Sequence, residues 1–87
     1  MSRAESGAAT RAARDDAWAA AHAQGVQEAL RAGRLEEAHI LCLAYAADYA
    51  RQAIDALDAG RHADARRMLG YIVAINELAP EHFRQLP

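Results

Sequence analysis

A glycine-centred turn that occurs twice constrains this chain more than any other feature. Ala29-Leu30-Arg31-Ala32-Gly33-Arg34-Leu35-Glu36-Glu37-Ala38 returns 27 positions later as Ala56-Leu57-Asp58-Ala59-Gly60-Arg61-His62-Ala63-Asp64-Ala65. Each copy lies between stretches with helical patterning. Helices commonly end on a residue in the left-handed region, which glycine enters without the steric cost that a Cβ imposes. Two such stops divide the chain into three helices. The expected fold is all-α, either a three-helix bundle or helical hairpins with a long central helix.

The chain has 87 residues, enough for one domain. Residues 1–9 are small and polar without apolar periodicity and read as a flexible N-terminus. The expected helical domain covers 10–79, and 80–87 form a C-terminal tail. Thr10 is the candidate cap of a first helix running to about Ala32. Its apolar stripe is narrow: Trp18, Ala21, Gly25 and Ala29, flanked by Val26 and Leu30. Gly25 weakens that helix by ~1 kcal/mol relative to Ala or marks a close crossing. The second helix is expected from Leu35 to Ala59, the third from His62 to Leu78, where Pro80 stops it. Gly70 facing an alanine of the second helix would let the two approach closely. Phe83 and Leu86 suit a tail that folds back as a lid.

The middle of the second helix, Ile40 to Ala47, and that of the third, Met68 to Ile75, carry no charge on any face. A helix that is apolar all round is buried on more than one side. In the second helix charge returns with Asp48, Arg51, Asp55 and Asp58 on one face, opposite Tyr45, Tyr49, Ala53 and Ala56. Alanine supplies roughly a quarter of the chain, so the 53% hydrophobic content overstates the core. A chain this short buries only about 60% of its unfolded surface and is marginal alone. Two apolar helices and one weak one leave a surplus face in an isolated bundle, and such patches mark interfaces.

The same turn resembles the one inside tetratricopeptide repeats. There a glycine closes the first helix and an acidic-Ala pair follows inside the second, as Gly33 is followed by Glu37-Ala38 and Gly60 by Asp64-Ala65. Leu78-Ala79-Pro80-Glu81-His82 is also similar to the end of such a repeat. The repeat distance of 27 departs from that family's 34. No break separates Leu35 from Ala59, and Gly25, Val26, Gln52 and Ala53 stand where the family places large residues. What the resemblance implies is a peptide- or protein-holding role, as in small bacterial secretion chaperones.

Other function classes have less to stand on. His39 and Cys42 are spaced for two metal ligands on a helix, but a structural zinc site takes four. His22, His62 and His82 are scattered, so no metal and no cofactor is expected. No nucleophile pattern, phosphate loop or paired ligand motif points to an enzyme. A net charge of −2 argues against general nucleic-acid binding. The alternative in that class is a small dimeric helix-turn-helix-like DNA-binding regulator, with Arg61, Arg66 and Arg67 at the start of the third helix as its patch. The same patch would serve an acidic partner. Asp55 and Asp58 at one helix end and Arg61, Arg66 and Arg67 at the next both oppose the helix dipole. Pairing across the Gly60 turn would reconcile them.

Every basic residue is Arg, a coding bias that suggests a bacterial or phage genome. The lone Cys42 cannot form an internal disulfide, no apolar run reaches the ~18 residues of a membrane span, and the start lacks a signal-like stretch. A cytoplasmic location is the expectation. The function expected is non-enzymatic: an adaptor, chaperone-like or inhibitor protein that binds another protein or itself. Its partner-binding candidates are Leu41, Leu43, Tyr45 and Tyr49 on the second helix, with Met68, Tyr71, Ile72 and Ile75 on the third.

Overall fold

The computed structural model describes the chain from Arg3 to Ala79. Three helices follow one another: α1 (Arg3–Arg31), α2 (Leu35–Asp58) and α3 (His62–Leu78). The all-α three-helix bundle is therefore the fold. α2 and α3 begin where expected and end within a residue of it. α1 does not. It starts well before Thr10, which lies inside the helix and not at its cap. Residues 3–9 are helical because alanines at 4, 8 and 9 favour the helix enough to carry it through Gly7. The expected tail, with Phe83, Leu86 and His82, lies outside the described residues.

The repeated turn is a repeated backbone structure. Gly33 and Gly60 both have φ of 76°. Arg34 N–H donates to Ala29 O at 2.9 Å and Gly33 N–H to Leu30 O at 3.0 Å. Arg61 N–H donates to Ala56 O at 2.8 Å and Gly60 N–H to Leu57 O at 3.0 Å. This is the Schellman pattern, which satisfies carbonyls that a helix end leaves without partners. The likeness extends beyond the turn. Ala29 and Ala56 are buried before it, Ala38 and Ala65 after it. Arg34 pairs with Glu37, and Arg61 with Asp64, at the same positions of the two following helices.

α2 and α3 form the most extensive packing contact, and α1 lies across one side of that hairpin. The core is built mainly from small side chains: Ala29, Ala38, Ala53, Ala56, Ala65 and Ala79 are all buried. Val26, Tyr49, Met68 and Ile75 supply the bulk between them. Gly70 plays no part in this approach. It is exposed, and a Cβ there would meet nothing within 4 Å. At Gly25 an added Cβ would reach only Tyr45 Oη at 3.9 Å, an ordinary contact. Neither glycine marks a close crossing.

The radius of gyration is 14.5 Å and the extents are 47 × 26 × 14 Å. A compact domain of this length would have a radius of about 12 Å. α1 alone rises about 43 Å, which accounts for the long dimension. The consequence is surface: an elongated small-residue bundle leaves much of its apolar content outside.

Candidate functional site

One side of the hairpin is fully used. α1 lays Trp18 and His22 against Tyr45 and Tyr49 of α2. His22 stacks on Tyr45 with ring centroids 3.9 Å apart and an angle of 7°. Trp18 meets Tyr49 edge-on at 5.3 Å, and Tyr49 touches Tyr71 of α3 at 5.5 Å. Tyr49 Oη and His22 Nδ1 share a hydrogen bond of 2.7 Å. Burial pushes the Tyr49 hydroxyl up to about 12, helped by Tyr45 and Asp48, so it stays protonated. Burial also lowers the pKa of His22 against the opposing pull of Asp48.

Beside the aromatic cluster, ion pairs join α1 to the start of α3. Asp64 accepts from Arg11 at 2.9 Å, from Arg61 at 3.1 Å and from Arg67 at 3.0 Å. Arg67 also donates to Asp15 at 2.9 Å, and the Tyr71 hydroxyl donates to Asp16. The expected pairing of Asp55 and Asp58 with these arginines is therefore corrected. Arg61 and Arg67 turn to acids on α3 and α1, because α1 packs over the start of α3 and brings Asp15 there. Of the three candidate patch residues, Arg61 and Arg67 are in ion pairs, while Arg66 is exposed. The patch is largely neutralised within the fold.

The other side of the hairpin is uncovered. Ile40 is 62% exposed, Leu43 59%, Ile54 58%, Leu57 50%, Leu69 51% and Val73 59%. These residues share a face. Two positions along an α-helix turn about 200°, to the opposite side. Leu43 is two positions from Tyr45, Leu69 two from Arg67, and Val73 two from Tyr71, and each of those neighbours faces α1. Leu35 is a further exposed large apolar residue of α2, at its first position. Among the described residues, the seven exposed large apolar side chains are on α2 and α3 and none is on α1.

The eight residues read as partner-binding separate on this basis. Leu43 is on the open face. Leu41, Tyr45, Tyr71 and Ile72 are half-buried and pack against the core. Tyr49, Met68 and Ile75 are core residues, 1%, 3% and 3% exposed, and that reading of them is corrected. They fall inside because they join one core cluster with Val26 and Ala29 of α1 and Ala38, Cys42 and Ala53 of α2. Ile40, Ile54, Leu57, Leu69 and Val73 are not among those eight candidates, although the uncharged middles of the two helices include Ile40, Leu69 and Val73. Their signal is spacing: Ile40, Leu43, Ala47, Ala50, Ile54 and Leu57 recur at alternating intervals of three and four, the period of a helix seam.

Little else on the molecule suggests chemistry. A groove of about 290 Å³ is lined by Arg14, Asp15, Trp18 and Gln52. Asp15 in it is committed to Arg67. Burial raises the pKa of Cys42, which keeps its thiol protonated. Among the described residues no three His, Cys, Asp or Glu side chains converge as metal ligands, and no helix is long and apolar enough to cross a membrane. No family model, curated protein or solved structure matches the chain.

Proposed function

We propose that this chain is a non-enzymatic association module that holds another polypeptide against the outward face of α2 and α3. The observation that carries the reading is the one-sidedness of the bundle. α1 closes one side with aromatic packing and ion pairs, while six large apolar side chains stand half-exposed or more on the other. Together these leave roughly 600 Å² of apolar surface, at the upper end of what a monomer carries as its largest patch. Leaving that area in water forgoes about 25 cal/mol per Å², a substantial loss for a small-residue core. The likeness of the two turns to tetratricopeptide repeats points the same way. Pairing of Arg61 and Arg67 with Asp64 and Asp15 weighs against a nucleic-acid role.

The test is a photo-crosslinking residue placed singly at Leu43, Val73 or Gln24 in cells of the organism that encodes the chain. Gln24 is exposed on α1 and serves as control. Covalent capture of a polypeptide at 43 and 73 but not at 24 supports the reading. Equal capture at all three, or none, contradicts it.

A further inference from the structure

The stripe on α2 is self-complementary, and from it we infer that the occupant of this face is a second copy of the same chain, its α2 running antiparallel. The inference rests on the association reading above and names its partner. Along the open face the residues run Ile40, Leu43, Ala47, Ala50, Ile54, Leu57: large at both ends and small in the middle. About a two-fold axis between Ala47 and Ala50, Ile40 lies opposite the second copy's Leu57, Leu43 opposite its Ile54, and Ala47 opposite its Ala50. Labelled alternately a and d along the seam, every layer joins an a position of one helix to a d position of the other, as antiparallel knobs-into-holes packing requires.

α3 fits the same arrangement. Tyr49 meets Tyr71 across the hairpin, so Leu69 and Val73 stand level with the middle of α2. The bulky side chains of α3 therefore flank the small-residue layer of α2. Two α2 helices can approach closely at their alanines, and Leu69 and Val73 of each copy then cover the centre from either side. The area is adequate. Roughly 600 Å² of large apolar side chain, with the intervening alanines added, approaches the ~800 Å² per partner of a stable interface.

Charge selects the direction. A parallel pair would set Glu36 beside Glu36 and Asp58 beside Asp58, with the two helix dipoles aligned. The antiparallel pair keeps both like-charged pairs apart and opposes the dipoles. Symmetry of this kind closes at two chains.

The experiment uses the full chain with single cysteines on the exposed face in a Cys42→Ala background. Leu43→Cys and Ile54→Cys proteins are oxidised separately and as an equimolar mixture, beside the solution mass of the unmodified chain. A disulfide needs Cα atoms within about 7 Å. The expected result is a two-chain mass, a covalent dimer in the mixture and none from either protein alone. A dimer from Leu43→Cys alone indicates parallel pairing and overturns the proposal, as does a two-chain mass without a 43–54 link. A one-chain mass for the unmodified protein also overturns it. Capture of a different polypeptide by the photo-crosslinker at Leu43 would then show that the association reading survives, and absence of capture that both fail.

Discussion

Asp64 of α3 accepts a hydrogen bond from Arg11 of α1 at 2.9 Å, across 53 positions of sequence. The bond matters because the apolar stripe of α1 is thin and cannot by itself set how the helix lies. With Arg67 bridging Asp64 and Asp15, it fixes the first half of α1 against the start of α3. α1 is thereby held to one side of the hairpin, and the opposite side stays open.

Removing that anchor should be costly. Asp64→Asn leaves Arg67, 19% exposed on its side chain, without one of its two carboxylates. Arg11 and Arg61 reach solvent, so the loss should be roughly 2 kcal/mol, below the 3–5 of a fully buried pair. Urea unfolding at neutral pH measures it. Burial alone would raise the pKa of Asp64, but the hydrogen bonds from Arg11 and Arg67 outweigh it and hold the carboxyl below its ordinary value of 3.8. That contribution is present above pH 3.8 and is lost as pH falls through the lower folded value. The variant should lose this part of the acid sensitivity.

His22 should add an acid response of the same sign at milder pH. Its folded pKa is lowered, chiefly by burial, so the unfolded chain takes up the proton first. Stability should be complete above pH 6.5 and decline as pH falls below it toward the folded value. His22→Gln should flatten the decline between pH 7.5 and 5, followed by thermal unfolding. An unchanged slope would contradict the role given to this ring.

Tyr49→Phe keeps the packing against Trp18 and Tyr71 but deletes the hydroxyl that meets His22. The expected loss is about 1 kcal/mol, from one buried hydrogen bond and one group left without a partner. Tyr45→Phe, which keeps the ring stacked on His22, should change stability by less than about 0.5 kcal/mol. Equal effects of the two would show that the hydroxyl contributes nothing.

Four of the five glycines should divide into two pairs. Gly33→Ala and Gly60→Ala force a side chain into φ of 76° and should each cost about 1–2 kcal/mol, nearly equally because the two turns share one geometry. Gly25→Ala and Gly70→Ala meet at most an ordinary contact and should each stabilise by about 0.5–1 kcal/mol. Unfolding midpoints of the four variants check this directly.

Legibility in the sequence followed the range of the interaction. Gly33 and Gly60 act on their own neighbours, so the bounds of α2 and the start of α3 were readable. Gly7 is also a local signal, but it was outweighed by the surrounding alanines, and the start of α1 was misplaced. One partner of Arg67, Asp15, lies on another helix, and nothing in the spacing of Asp55, Asp58 and Arg67 separates a pair across the turn from a pair with Asp15. An apolar face was legible, yet Tyr49 and Ile75 could not be told from Ile54 and Val73 by hydropathy. Their packing in the bundle distinguishes them. The alternating spacing from Ile40 to Leu57 was present throughout and is the local signal that would have found the surface.

The most direct measurement is light-scattering mass over a dilution series for the unmodified chain and for Leu43→Lys, with circular dichroism of each. Leu43 is 59% exposed, so the lysine should leave the helices intact. The account expects about twice the mass of one 9.4 kDa chain for the unmodified protein, and a single-chain mass with unchanged helicity for the variant. A unmodified chain that stays at one-chain mass at every concentration would contradict the pairing, and equal masses for the two would contradict the face.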